Sequence, residues 1–374
     1  MREGWKYKTF GEIGTFLRGK SIQKADFVEH GLPCIHYGQI HTKFGVSVDK
    51  HLSEIPEEVY NKSIIASPGD VVIAITSEDL EGSCKSTAWL GDYDVAVSSH
   101  AAVYKHNLNP KFIVYYLRSN SFYIEKEKYA RGFKVMEIKP TDIERIPIPV
   151  PSKEIQSRVV SELDKINELI QLKKEQLSDY DKLAQSLFYD MFGDPKVNDK
   201  SWEMKRITDL CIDISAGGDA SKHEIKKQKD EVFSFPVYSN GIDKNGLYGY
   251  SNHATINQPA ITLAARGTIG AAFIRTEPYI PIIRLVSVIP DLSKISLTYL
   301  YYILKQTEWD RTGGTIPQLP VPKVKQLILP LPPLSLQQLF AQRIELIEQQ
   351  KVEIQSTIAD LETLLASRMQ YWFD

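Results

Sequence analysis

A glycine–lysine–hydroxyl run is the most reaction-like feature of this 374-residue chain. Gly14-Thr15-Phe16-Leu17-Arg18-Gly19-Lys20-Ser21 fits GxxxxGK[ST], a loop whose backbone N–H groups cradle phosphates while its lysine and hydroxyl serve the phosphates and Mg²⁺. That chemistry needs a buried strand feeding the loop and a helix leaving it. Tyr7 to Ile13 makes a poor buried strand, and Ile22 to Asp26 a weak helix. A corresponding stretch later in the chain, Ile214-Ser215-Ala216-Gly217-Gly218-Asp219, has no lysine. The alternative use of Lys20 is to meet a phosphate of a polymer. Cys34, His36 and His41 lack a third partner at a recognised metal-ligand spacing and read as loop and surface residues. His100 beside Ser98 and Ser99 has no nucleophile elbow around it. Neither a glycine-rich cofactor fingerprint nor an NPPY tetrad occurs; Asn109-Pro110 stands alone. No specific signal in these residues supports catalysis, and none marks a metal or cofactor site.

Polymer binding has more support. Several loops combine Lys or Arg with amides, hydroxyls and glycines: Arg131-Gly132-Phe133-Lys134, Arg266-Gly267-Thr268-Ile269-Gly270, and Arg311 to Gln318. Arginine can bridge guanine edges and Asn or Gln adenine edges, while lysine and backbone N–H groups hold phosphates. The DNA-binding candidates are Lys20, Lys43, Lys85, Arg131 and Lys134 in the first part of the chain. In the second they are Asn240, Arg266, Thr268, Arg311, Thr315 and Gln318.

These loops sit in a chain that repeats itself. Trp5-Lys6-Tyr7-Lys8 is echoed by Trp202-Glu203-Met204-Lys205, and Ile146-Pro147-Ile148-Pro149-Val150-Pro151 by Leu327-Ile328-Leu329-Pro330-Leu331-Pro332. Tyr115-Tyr116-Leu117 returns as Tyr301-Tyr302-Ile303. Clustered prolines stop a sheet and favour an extended connector, and a helical pattern follows each cluster. The first seam runs Val159, Leu163, Ile166, Ile170, Lys173, Leu177, Tyr180, Ala184, Leu187, Met191. The second runs Phe340, Ile344, Ile347, Lys351, Ile354, Ile358, Leu361, Leu365, Arg368, Trp372. Alternating steps of four and three over more than four heptads predict a coiled coil. Lys173 and Lys351 interrupt the two seams at different places and help set register. Ser152 and Ser335 are expected to cap the helices.

The domains are therefore 1–151, helix 152–194, 195–334 and helix 335–374. The fold expected is α/β (α+β) globular domains in two copies, separated by two long helices forming an antiparallel coiled coil, with a pseudo-twofold internal repeat. Asp70 to Thr76 and Pro259 to Ala264 read as buried strands. Phe112 to Leu117 and Leu297 to Leu304 read as short helices. The first seam spans roughly 50 Å at the helical rise, or about 15 base pairs of duplex.

Composition agrees with this reading. The formal net charge is −2, with the two helical segments acidic and therefore poor partners for phosphate. Three dispersed cysteines exclude a disulfide scaffold. No apolar run reaches membrane-spanning length and the N-terminus has no apolar signal core, so a cytoplasmic protein is expected.

In this arrangement the chain resembles the specificity subunit of type I restriction–modification enzymes. The carrying residues are Trp5 and Trp202, Pro236-Val237-Tyr238-Ser239-Asn240-Gly241, Arg266-Gly267-Thr268-Ile269-Gly270 and Gly314-Thr315-Ile316-Pro317-Gln318. The connectors Pro149-Val150-Pro151-Ser152 and Pro330-Leu331-Pro332-Pro333, with Gln156 and Gln337, complete it. Ile155 and Leu336 replace the glutamate usual before that glutamine, and Glu81-Gly82-Ser83-Cys84-Lys85-Ser86 stands in the first copy for Arg-Gly-Thr-Ile-Gly, with Lys85 set against Arg266. The resemblance implies a DNA-binding subunit that reads a bipartite, asymmetric site in double-stranded DNA, one half per recognition domain. It also implies two methyltransferase subunits and motor–nuclease restriction subunits as partners, with S-adenosylmethionine and ATP held by them. The rival readings are a P-loop nucleotide-binding protein and a coiled-coil scaffold with no DNA role.

Overall fold

The computed structural model describes residues 5–20, 22–132, 135–309 and 318–374. The chain divides into two compact units, Met1–Lys174 with Ser356–Asp374, and Glu175–Gln355.

In the first unit, alternation along Val71–Ala74 organises two layers. Val71 and Ile73 face a core built with Phe112, Ile113, Tyr116 and Phe122. Val72 and Ala74 face a second core with Trp89, Val97 and Val103. A strand buried on both faces reads as an unbroken apolar run. It is the middle of a five-stranded sheet ordered Gly14–Arg18, Ala101–His106, Val71–Ala74, Ser86–Trp89, Ser47–Val48. A four-stranded sheet follows the order Ser53–Ile55, Leu32–Ile35, Val95–Val97, Ile64–Ala66, with the middle pair parallel. The helix Pro110–Leu117 covers the first core. Asn109 caps it, its Oδ1 accepting the Lys111 amide at 3.0 Å.

The second unit repeats this plan with fewer parts. Its sheets are ordered Cys211–Ala216, Val286–Pro290, Ala260–Leu263, Ala272–Arg275, and Leu247–Ser251, Phe235–Tyr238, Ile280–Pro281. Leu297–Gln306 takes the place of Pro110–Leu117. The helix Tyr37–Thr42 and strand Ser47–Val48 of the first unit lie where the second passes through Ser239–Gly246 directly into Leu247–Ser251. Most of the extra length of the first copy is there. The expected short strands and helices are present, within two residues of their anticipated ends.

The prolines behave as the sequence suggests. Pro147–Val150 pairs antiparallel with Lys6–Thr9, and Ile328–Leu331 with Glu203–Arg206. Each tryptophan opening is anchored: Trp5 stacks on Trp372 at 6.4 Å, and Trp202 donates to the Phe192 carbonyl at 2.9 Å.

Two 40-residue helices, Lys153–Phe192 and Leu334–Phe373, carry the seams. In the first unit, Val159, Leu163, Ile166 and Ile170 are buried, as is Ile358, with Leu361 and Leu365 half-buried. Lys174 pairs with Glu362 at 3.0 Å, while Glu162 binds Arg368 and accepts from Trp372 Nε1 at 3.2 Å. Numbers rising on one helix meet numbers falling on the other, so the pairing is antiparallel. The second unit shows the same direction: Asp181 meets Lys351 at 2.8 Å and Phe192 meets Phe340 at 5.2 Å. There Phe340, Ile344, Ile347 and Ile354 are buried, and Leu177 and Leu187 half-buried. Burial works against charge on Lys351, yet hydrogen bonds to Asp181 and Glu348 leave its pKa above the ordinary lysine value. Ser152 Oγ accepts the Ile155 amide at 3.4 Å. Ser335 does not cap the second helix, which already begins at Leu334.

Candidate nucleic-acid interface

Backbone register establishes which positions of the two units correspond. Gly19 donates to the Ala101 carbonyl at 2.9 Å and Gly217 to the Leu285 carbonyl at 2.8 Å. Lys20 bridges Ser98 as Gly218 bridges Ile282. Cys84 donates to Ala74, and Gly270 to Ala264, both at 2.9 Å. Lys20 thus corresponds to Gly218, Cys84 to Gly270, and Thr76 to Arg266. The sequence comparison set Lys85 against Arg266. The structural counterpart of Lys85 is Ala271, since each accepts from Ala74 or its equivalent Ala264 through its carbonyl.

The nucleotide-loop reading is overturned by the same geometry. Gly14–Arg18 is a strand paired with Ala101–His106, and Lys20 continues along Ser98. Among the described residues no strand–loop–helix turn surrounds the lysine. Gly19 is required because a Cβ there would stand 2.1 Å from the Ser98 carbonyl oxygen.

In the second unit Asn240 is the hub. Its Oδ1 accepts the Ala265 amide at 2.7 Å, and its Nδ2 donates to the Ile283 carbonyl at 2.6 Å. Its own carbonyl accepts Thr268 Oγ1 at 3.2 Å. Both ends of the amide are therefore engaged in holding three loops together. Arg266 bridges Gln318 through its backbone, and its Nε is buried without a hydrogen-bond partner. A buried donor left unpaired costs about 1–3 kcal/mol. Thr268 and Gln318 are exposed. From beneath, the buried Arg275 donates to the Asn245 carbonyl at 2.6 Å and to Thr262 Oγ1 at 3.1 Å, with Tyr238 against its guanidinium face. Burial lowers its pKa from the ordinary arginine value. It holds a loop in which Lys244, Asn245 and Gly246 all have positive φ, a conformation glycine adopts readily and other residues only at a cost.

The first unit presents a different set at the matching loops. Lys20 and Lys43 are exposed, the latter at the C-terminal end of Tyr37–Thr42. Lys85 Nζ donates to the His41 carbonyl at 2.7 Å, so its charge lies beside that helix end. His41 Nε2 lies 3.1 Å from the Thr76 carbonyl oxygen, and Thr76 Oγ1 lies 3.1 Å from His100 Nδ1. The Tyr37 ring sits 4.6 Å from His36 and 4.9 Å from His100. Burial first, then the charge of Lys24, lowers the His36 pKa. Arg131 faces Asp142 at 3.5 Å and pairs by backbone with Glu137. Lys134, Arg311 and Thr315 lie outside the described residues.

The sequence did not single out Tyr37, His41 or Arg284 for this face; Arg284, exposed and one residue before Leu285, is the counterpart of His100. Periodicity cannot mark them, since loop positions converge only through the registers above. Among the described residues no group of three or more His, Cys, Asp or Glu could hold a metal. No helix described is long and apolar enough to cross a membrane.

A family model described as type I restriction modification DNA specificity domain matches residues 2–179 and 199–362. A putative type I specificity subunit of Mycoplasma pneumoniae, S.MpnORF507P, is 30% identical over 54% of this chain and 55% of its own length. The chain thus spans about half of that relative. A second from the same organism, S.MpnORF89P, is 26% identical over 66% of this chain and 76% of its own. Among solved structures, the S subunit of a type I restriction–modification system from M. genitalium matches 100% of this chain and 98% of its own. Its TM-score is 0.55 at 14% identity. Another, from work on complex assembly and conformational transition of the type I R-M system, reaches 0.63 at 17% identity, with 100% and 98% covered. These two likenesses establish the fold.

Proposed function

The chain belongs to the type I restriction modification DNA specificity family, and from that premise we propose that each unit reads one half of a bipartite, asymmetric site in double-stranded DNA. The observation that carries this reading is the pairing of conserved register with unlike tips. The two units share their backbone bonding yet hold Lys20, Thr76 and His100 in one and Gly218, Arg266 and Arg284 in the other. Matching strand registers presenting different donors suit two different base sequences.

The long helices supply the rest of the proposal. Outside the seams they expose Leu169, Leu172 and Leu364 in the first unit and Leu183, Leu346 and Val352 in the second. Exposed apolar side chains beyond those of an internal seam favour further helices packing there. We assign that role to two methyltransferase subunits, with motor–nuclease restriction subunits joining them. The chain itself performs no catalysis in this account. S-adenosylmethionine and ATP belong to the partners, and the work takes place on cytoplasmic DNA.

The test is selection from a random duplex library by the full chain with its methyltransferase partner. Two unlike conserved blocks around unread pairs support the reading. An ATP-binding titration of the chain alone addresses the nucleotide-loop alternative, for which binding within the micromolar range would be required.

A further inference from the structure

We propose that Arg284 reads a guanine in the half-site of the second unit, and that His100 holds the corresponding reading position in the first. The inference rests on the DNA-reading proposal above and names residues within it.

Arg284 stands in the turn between Ile280–Pro281 and Val286–Pro290. Its φ is 62° and that of Ile283 is 54°. Two successive side-chain-bearing residues in the left-handed region are unusual, and for a β-branched isoleucine markedly so. Such a conformation persists only where its surroundings enforce it. Here they do: the Ile283 amide donates to the Gly218 carbonyl at 2.8 Å and the Arg284 amide to Gly217 at 3.2 Å. The Ile283 carbonyl accepts from Asn240. Two loops thus clamp a strained turn whose outcome is an exposed arginine. Among the described residues Arg284 has no ion-pair or hydrogen-bond partner for its side chain.

One amide links it to Arg266. Asn240 binds the residue before Arg266, through the Ala265 N–H, and the residue before Arg284, through the Ile283 carbonyl. The two guanidinium-bearing positions therefore leave a single anchor, with Thr268 tied to the same asparagine. A guanidinium offers a planar fork matched to guanine O6 and N7, which a lysine ammonium cannot reproduce. The clamped turn fixes where the fork starts from, while the side chain itself still gives up rotamer freedom on binding.

The first unit keeps the register but not the left-handed turn, for neither Ser99 nor His100 has a positive φ. His100 occupies the place of Arg284, next to Ala101, whose carbonyl accepts from Gly19. It contacts Thr76 Oγ1, and Thr76 occupies the place of Arg266. One position in each unit would thus set part of each half-site, and their unlike residues would make the halves unlike.

The experiment compares the full chain, with its methyltransferase partner, in library selections using wild type, Arg284→Gly, Arg284→Lys and His100→Ala. Glycine accepts the left-handed turn without strain, so Arg284→Gly keeps the fold while removing the fork. The proposal expects Arg284→Gly and Arg284→Lys each to weaken one guanine of a single half-site by roughly ten- to hundredfold. The other half-site should stay as in wild type. His100→Ala should relax a position in that other half only. An Arg284→Lys or Arg284→Gly protein selecting the wild-type site with undiminished stringency overturns the assignment of Arg284. Wild type selecting no sequence overturns the DNA-reading proposal itself, a result distinguishable from the first.

Discussion

Gln156 and Gln337, 181 residues apart, make the same two hydrogen bonds in their own units. Gln156 Oε1 accepts the Asn109 amide at 2.9 Å, and its Nε2 donates to the Pro151 carbonyl at 2.9 Å. Gln337 does likewise with the Ser296 amide and the Pro332 carbonyl, both at 2.8 Å. Each side chain is buried and ties the start of a long helix to the residue that opens the domain's own covering helix. Replacing either with leucine would strand a half-buried N–H and a buried carbonyl. The expected loss is about 2–4 kcal/mol, read as a lowered urea midpoint; a midpoint unchanged by both substitutions contradicts the role.

The helix seam makes a second prediction. Ile358→Asp places an uncompensated charge at a buried position and should cost about 3–5 kcal/mol. Leu177→Asp, only half-buried, should cost less. Leu169→Asp, on an exposed face, should leave the thermal melt near wild type yet weaken capture of the methyltransferase subunit. Equal melts for all three would mean that the seam does not pair.

Gly270 has φ 85°, and a Cβ there would lie 2.5 Å from Trp309 Cδ1. Gly270→Ala should therefore destabilise by about 1–3 kcal/mol. The counterpart Cys84 already carries a side chain at φ 62°, so Cys84→Ala should cost less than Gly270→Ala. Denaturant unfolding of the two variants decides the order.

His106 sets an acid-side dependence. Both ring nitrogens are buried, and burial, outweighing the opposing effects of Asp70 and the Leu108 backbone, pushes the pKa down to about 4. An unfolded histidine protonates near 6.5, so below that pH the unfolded state binds the extra proton and stability declines until about pH 4. His106→Phe should flatten the slope of unfolding free energy between pH 6.5 and 4. A slope identical to wild type would show that His106 does not carry it.

The repeats and both seams were legible because heptad spacing and proline clusters are local patterns. What the sequence could not supply was correspondence inside the domains. Insertion of Tyr37–Thr42 and Ser47–Val48 shifts the count, so matching by motif set Lys85 against Arg266, whereas the strand registers set Thr76 there. The GxxxxGK[ST] match failed because a consensus records residue types and not the strand pairing that Gly19 serves. Asn240 was legible as a loop residue, but only its contacts show that it is a tie between three loops.

The most direct measurement is the DNA site selected by the full chain with its methyltransferase partner, for wild type and for Arg266→Ala. The account predicts two dissimilar blocks separated by unread base pairs in wild type, with Arg266→Ala relaxing one block by about 1–3 kcal/mol at one position and sparing the other. A single continuous block, or relaxation of both blocks together, would contradict it.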